Sequence, residues 1–422
     1  MKFVELTKDE FASFGRGHGQ GTFFQTVETA DLRESYGSII HYLGVKDKNK
    51  IIAAGMFTET PCMFGKKRFY APQGFLADYN DLELLRFFTT NLKKYAKKCN
   101  AMFLKIDPNV IYQLHKSDGT LYEGAVPNDL AINNLKKLGY KHFGFTKEYR
   151  FTQSRWNYRL VLDKPYEELR KEFSKSTRKN IDAMYDKGVK IRRGSKEDLE
   201  AMTYLLQSTA ERKNFRYRDL EYYKRMYKYF GDLMQIYIAY VDSDLYLENA
   251  RRHLKEEEEH KKEVLEKMER EKVGNKLKNE LETCEKQLEK LKLEVEEAKE
   301  FKKEYPNGKD VGGLLSIKSG QEYVTLTSGI LEDAKKFKPK YIMYNEHIKD
   351  AYKFGFPYVN FYGISGVFDK SNPIYGVYEF KRGFGGEVVE LIGEFTLKIS
   401  NTYYIYNMFR HLKIVLRKIT KR

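Results

Sequence analysis

The sequence predicts a mixed α/β chain, of the α+β kind, with a long antiparallel helical arm inserted into its second half. Three observations carry this reading. Short β-rich runs alternate with amphipathic stretches over residues 39–106 and again over 158–241. From about Leu247 to Lys303 the chain is almost entirely Glu, Lys, Leu and Arg. After Pro306-Asn307-Gly308 the α/β pattern resumes. A chain of 422 residues is also too long for one ordinary core, which implies two or three domains.

In the first part, Ile39–Val45 and Lys50–Phe57 read as strands around a polar turn, and Arg68–Pro72 as a third. Asp81 is placed to cap a helix whose apolar positions, among them Leu84, Leu85, Phe88 and Leu92, recur at helical spacing. Ala101–Ile106 is the next strand and stops at Asp107-Pro108. Strand, helix, strand in this order implies an open α/β sheet. The second part opens with a strand at Tyr158–Leu162 and helices over 166–173 and 175–187. A strand at Val189–Arg192, helices over 196–214 and 219–230, and a strand at Met234–Val241 follow.

Leu277, Leu281, Cys284, Leu288, Leu291, Val295 and Ala298 then recur in alternating steps of four and three, a heptad seam flanked by charges. Gly274-Asn275 interrupts the segment, and Leu247, Leu254, Leu265 and Met268 can supply a facing stripe. This favours an antiparallel coiled-coil hairpin over a continuous dimeric coiled coil. Beyond it, Gly312–Ile317 and Tyr323–Thr327 form a hairpin-like pair, a helix spans about 340–354, and Pro357–Gly363 is a strand. Tyr375–Phe380 leads to Lys381. The expected domains are 1–155 with 396–422 packed on it, 156–243 with 309–395, and the arm at 244–308. The similar order of elements in the two α/β parts suggests an internal repeat.

Lysine and arginine outnumber acids by 76 to 60, a net charge of +16. On charge alone an anionic partner and a lysine-rich soluble surface are equally served. The cysteines Cys62, Cys99 and Cys284 form no CxxC and have no histidine at metal spacing, so neither a disulfide framework nor a zinc site is expected. They point to a reducing, cytoplasmic setting. Residues 1–10 lack the apolar stretch of a signal peptide, and no run reaches the length of a membrane span. From Tyr403 to Arg422 apolar residues alternate with Arg410, Lys413, Arg417, Lys418, Lys421 and Arg422. That suits a terminal helix packed on its own domain with a solvated basic side, or a basic helix at an anionic membrane face, and both can hold at once.

No hydrolase elbow, Walker loop or HExxH is present. Gly15–Gly21 is glycine-rich but follows no strand, and reads as a turn rather than a phosphate loop. Glu211–Arg218 with Tyr222 and Tyr223 mixes arginines, which clamp phosphate, with rings that stack on a base or sugar; a solvated helix end explains it as well. Lys381 before Gly383 could place a cation at a developing oxyanion, or be an ordinary strand-end lysine. Asp107 stands at a strand's carboxyl end, where open sheets bind ligands, or caps a turn.

Together, in order, these pieces resemble the FemABX family of non-ribosomal peptidyltransferases. The likeness lies in Phe24-Gln25-Thr26, Ile106-Asp107-Pro108, and Leu138-Gly139-Tyr140 before Gly144-Phe145. It continues in Arg178-Lys179 before Gly188-Val189-Lys190, the coiled-coil insertion, Asn360–Gly363 and Phe380-Lys381. It runs over essentially the whole chain and is similar to the longer, arm-bearing FemA-, FemB- and MurN-type branch.

The resemblance implies two tandem acetyltransferase-like (GNAT-type) domains with the arm projecting from the second. It implies transfer of an amino acid from aminoacyl-tRNA to the stem-peptide lysine or growing bridge of a peptidoglycan precursor. Arg218 and Tyr222 match precursor-binding positions. Arg33 stands where a relative has lysine, and Thr327 where that relative has a binding tyrosine. Phe380 and Lys381 match the pair at the aminoacyl ester, and Asp107 an acidic residue beside the acceptor peptide. The implied chemistry is aminolysis of an ester, with Lys381 stabilising the oxyanion and Asp107 or the tRNA's vicinal hydroxyl taking the proton. It needs no metal and no cofactor beyond the tRNA co-substrate. The basic C-terminus favours a lipid-linked precursor and peripheral contact with the inner membrane face. The competing reading is a non-enzymatic tRNA- or RNA-binding protein with a coiled-coil arm. An acyl-coenzyme A transferase would want a phosphate loop that is not found, and a structural coiled-coil protein would not need two α/β units.

Overall fold

The computed structural model describes residues 1–148, 152–213, 216–270 and 274–409. In the first part the chain runs β1 (Lys2–Glu5), α1 (Lys8–Gly17), α2 (Val27–Glu34), β2 (Ile39–Asp47), β3 (Lys50–Pro61), β4 (Lys67–Ala71), α3 (Leu82–Lys98) and β5 (Ala101–Ile106). Then come β6 (Ile111–His115), α4 (Asp129–Lys137) and β7 (Tyr140–His142). The next stretch is β8 (Trp156–Val161), α5 (Tyr166–Glu172), α6 (Lys175–Asp186), β9 (Val189–Gly194), α7 (Leu199–Arg212), α8 (Leu220–Phe230) and β10 (Met234–Val241). The arm is α9 (Ser243–Arg270) and α10 (Asn275–Glu304). The chain closes with β11 (Lys309–Ser319), β12 (Glu322–Ile330), α11 (Pro339–Lys353), β13 (Tyr358–Ile364), α12 (Tyr375–Arg382), β14 (Glu387–Leu391) and β15 (Phe395–Lys398).

Local chemistry explains several boundaries. Asp81 caps α3 by accepting the Leu84 N–H at 2.9 Å, and Asp219 caps α8 by accepting that of Tyr222 at 2.8 Å. Pro339 opens α11, where its missing N–H costs nothing. Gly329 lets α7 lie directly on β12: a Cβ there would sit 2.2 Å from the Leu205 carbonyl oxygen.

The strands form two sheets, ordered β1-β2-β3-β4-β5-β15-β7 and β6-β14-β8-β13-β12-β11-β10-β9. Each contains an antiparallel run of four strands followed by a parallel pair, β4–β5 in one and β12–β13 in the other. The order strand, two helices, three strands, helix, strand holds for β1 to β5 and, with the arm set aside, for β9 to β13. The chain therefore carries an internal topological repeat. Where the first copy turns from β2 to β3 through Lys48-Asn49, both at positive φ, the second copy inserts α9 and α10. Two strands cross between the halves: β6 pairs with β14 in the second sheet, and β15 pairs with β5 and β7 in the first.

The arm is an antiparallel helical hairpin, since Lys302 pairs with Asp244 near its base and Lys261 with Glu285 further out. Cys284, Leu288, Leu291, Val295, Ala298 and Phe301 are buried along α10. On α9 the expected facing residue Leu265 is 41% exposed, and its neighbour Val264 is buried instead. The stripe read from sequence was one residue out of phase there.

Each sheet has its own core, one around Phe57, Phe75, Phe88 and Leu104, the other around Tyr158, Tyr237, Leu314 and Ile348. Residues 402–409 continue as helix after β15, and Tyr403 and Tyr406 pack on Phe103 with ring centroids 5.3 Å away. The basic residues from Arg410 to Arg422 lie outside the described residues. Among the described residues no helix is long and apolar enough to cross a membrane.

Candidate active site

The second sheet opens where its parallel pair comes apart. β12 and β13 pair only from Glu322↔Tyr358 to Val324↔Asn360, and Asn360 Nδ2 donates to Glu322 across this stretch at 3.0 Å. Beyond it the strands separate. Thr325–Ser328 of β12 and Phe361–Gly363 of β13 line a cavity of about 620 Å³. Carboxyl ends of parallel strands are where open sheets place ligands. β13 is irregular here: its pairing with β8 shifts between Asn360 and Gly363, and Tyr362 takes φ 64°. A left-handed tyrosine is strained, and it redirects its carbonyl.

Lys381 uses that carbonyl. It sits in the last turn of α12 rather than at a strand end, and its ammonium donates to Tyr362 O at 3.1 Å and Gly363 O at 2.7 Å. An ammonium has three donors, so one remains for the cavity that Lys381 lines. Lys381 is 6% exposed. Burial pushes its amine down to about 7, helped by Lys340 nearby. Lys340, in the first turn of α11, is itself pushed down to about 8 by burial, with Lys213 and Arg212 adding repulsion. Lys213, Lys340 and Lys381 line the cavity, and no carboxylate does so among the described residues. The cavity is thus an anion-seeking pocket walled by hydroxyls and rings. Phe380, half-buried, stands edge-on to Tyr344 with centroids 4.9 Å apart and fixes one wall.

A second cavity, of about 580 Å³, lies on the other side of Leu326, which lines both. Arg33 in the last turn of α2, Arg218 just before α8 and Tyr222 within α8 converge here, with Tyr36, Arg216 and Tyr217. The Arg218 guanidinium lies over the Tyr222 ring at 4.7 Å, and Tyr222 stacks on Tyr36 at 6.2 Å. Arg33 is drawn below the usual arginine range by burial, opposed by Tyr70, Tyr222 and Asp107. Asp219 is the acid of this lining, and its Oδ1 accepts from the start of α8. Residues 214–215, part of the expected cationic stretch, lie outside the described residues.

Thr327 does not join Arg33, Arg218 and Tyr222; it lines the Lys381 cavity. Asp107, at the carboxyl end of β5, is buried and lines neither cavity. Both its oxygens are engaged, one accepting from Tyr70 Oη and the other from the Gln73 N–H, each at 2.7 Å. Burial outweighs these bonds and pushes its carboxyl up to about 7. Lys340 escaped the sequence reading, while Lys213 and Tyr362 entered it only inside the Glu211–Arg218 stretch and the Asn360–Gly363 motif, with no role at the Lys381 cavity. Lys340 sits in an unremarkable lysine-rich context, and the backbone of Tyr362 leaves no mark on residue type.

A FemAB family model matches residues 6–411. The chain belongs to the FemAB family. It is 32% identical over 418 residues to aminoacyltransferase FemA of Staphylococcus epidermidis, covering 98% of this chain and 99% of that one. It is 32% identical over 430 residues to FemB of the same species, covering 99% and 100%. Against FemA of Staphylococcus aureus it is 31% identical over 409 residues, covering 96% and 97%. A crystal structure of FemX shares the fold at TM-score 0.76 and 24% identity, covering 96% of this chain and 99% of that one. This FemAB chain is therefore an acyltransferase of the aminoacyl class, on a mixed α/β fold as its sequence implied.

Proposed function

We propose that this FemAB protein transfers an amino acid from aminoacyl-tRNA to the stem-peptide lysine or bridge amine of a lipid-linked peptidoglycan precursor. One observation carries the reading: a buried lysine, held by two backbone carbonyls, lines a cavity at a split parallel strand pair. Such a donor is suited to a carbonyl oxygen gaining charge. The acceptor amine adds to the ester carbonyl, forming the new C–N bond. The tetrahedral intermediate collapses with cleavage of the C–O bond, and the ribose hydroxyl leaves carrying a proton. Lys381 supports the oxyanion, and Phe380 and Thr327 shape the aminoacyl pocket. With both Asp107 oxygens already occupied, the tRNA's vicinal hydroxyl is the better proton relay. Arg33, Arg218 and Tyr222 grip the anionic part of the precursor, by paired hydrogen bonds and stacking. The surplus of cations suits a polyanionic tRNA. The exposed Tyr404, Ile405, Met408 and Phe409 beside the basic terminus suit contact with a membrane face.

The test is transfer of labelled amino acids from a total charged-tRNA pool to lipid-linked and to soluble precursor, with wild type and Lys381→Ala side by side. Lipid product from wild type, largely lost in the variant, supports the proposal and names the amino acid. Product on soluble precursor alone overturns the lipid assignment. No product on either, with tRNA binding intact, overturns the transferase assignment of this site.

A further inference from the structure

Part-way along the arm, three metal-ligating side chains meet from its two helices. α9 contributes Glu257 and His260, three residues apart and so on one face, and α10 contributes Cys284. Their ligand atoms all lie within 4.8 Å of one another. Cys284 Sγ is 3.3 Å from His260 Nδ1, and a Glu257 carboxylate oxygen is 3.7 Å from that same nitrogen. Tetrahedral zinc, with bonds of about 2.3 Å to sulfur and about 2.0 Å to nitrogen or oxygen, sets its ligand atoms roughly 3.3–3.5 Å apart. The sulfur–nitrogen pair already stands at that spacing, and the oxygen–nitrogen pair is a few tenths of an ångström wider.

The remaining contacts suit the same purpose. His260 Nε2 is 3.5 Å from a Glu280 carboxylate oxygen. With Nε2 on the Glu280 side, Nδ1 faces Cys284 and Glu257, the order of a carboxylate–histidine–metal arrangement. Cys284 is 2% exposed, whereas the His260 side chain is 43% exposed. The thiol is thus walled by the helical seam, and the other ligands face water. A cavity of about 410 Å³, lined by His253, Glu256, Glu257 and His260 among others, adjoins the cluster and gives an ion a way in. It also leaves room for water as fourth ligand.

We propose that Glu257, His260 and Cys284 form a site for a borderline-soft divalent cation, zinc above all, that clips the two helices of the arm together. Without the ion, the Cys284 thiol and His260 Nδ1 contact each other directly, and metal binding would displace the thiol proton. The sequence reading expected no metal at the cysteines because His260 and Cys284 are 24 residues apart and meet only once the hairpin folds.

The test uses the full-length, reduced, metal-free protein titrated with Co²⁺ and then Zn²⁺. One equivalent of Co²⁺ should give a thiolate-to-cobalt charge-transfer band with proton release, and Zn²⁺ should displace it. Cys284→Ala should abolish the band, and Glu280→Gln should weaken binding by about 10–100-fold through loss of ring orientation. Cys62→Ser and Cys99→Ser should leave the band unchanged, which separates this cluster from that of His41 and Glu59 on the first sheet with Cys99 at the end of α3. Zn²⁺ should slow amide exchange over residues 261–283 in wild type but not in Cys284→Ala. Absence of the band, its survival in Cys284→Ala, or its loss in Cys99→Ser overturns the proposal.

Discussion

Lys381 stands under two opposed demands: its charge suits an oxyanion, yet burial drives its amine down to about 7. A free lysine titrates near about 10.4. Between these values the unfolded chain binds the extra proton and the folded chain does not, so this group makes stability rise with pH across that window. Below about 7 the full penalty of a buried charge remains. Lys381→Met should therefore reduce kcat by about 10²–10³-fold, the usual loss of one oxyanion donor. It should also raise the urea midpoint at neutral pH and flatten the rise of stability toward alkaline pH. Lys340, displaced to about 8, retains part of that slope. A variant less stable than wild type at neutral pH would contradict this account. Asp107 is shifted the other way, up to about 7, so its ionisation takes stability away as pH rises from the unfolded value of about 3.9. Asp107→Asn should lessen that loss in urea titrations. It should lower the transfer rate less than Lys381→Met does, because its oxygens serve Tyr70 and the Gln73 turn rather than the cavity.

At the scale of elements, the arm occupies the place of a two-residue turn in the other copy of the repeat, so the sheet does not need its outer part. Its base is different: Tyr246, Leu247, Ala250, Val295, Ala298 and Phe301 belong to the core of the second sheet. Replacing residues 253–292 with a short loop should leave a folded protein whose thermal midpoint changes little. Deleting the whole hairpin, residues 243–304, should instead unfold or aggregate it, because the base residues leave the core with it; circular dichroism melts distinguish the two. The arm was legible because a heptad seam is a local, repeated signal. The paired strands were legible for the same reason, as alternation and turns mark each one. The split between β12 and β13 was not, since neither strand's own pattern records where its pairing with the other ends; only their mutual register does. Lys381 was found by resemblance, while its helix was missed because Tyr375–Arg382 is short and aromatic. The strands β6, β14 and β15 were missed because each owes its place to partners far away in the chain.

At the scale of the molecule, Leu326 divides two cationic cavities with different equipment. One has buried amines and hydroxyls around Lys381; the other has arginines and stacked tyrosines drawn from both halves of the chain. The helices α2 and α8, which carry Arg33 and Tyr222, pack on each other, so this second cavity exists only while the halves stay docked. The division predicts separable kinetics. Arg218→Ala should raise KM for the precursor several-fold with little change in kcat, because uniform binding is lost and the reacting atoms are untouched. Arg33→Ala should do the same, and the double variant should fall short of the product of the two, since both contribute to one pocket. Salt supplies the complementary arm. Binding of tRNA through many phosphates should weaken steeply between low and moderate ionic strength, whereas precursor KM should respond weakly. If instead Arg218→Ala lowered kcat as strongly as Lys381→Met while leaving KM unchanged, the two cavities would have to act as one site, and the separation by Leu326 would have no functional meaning.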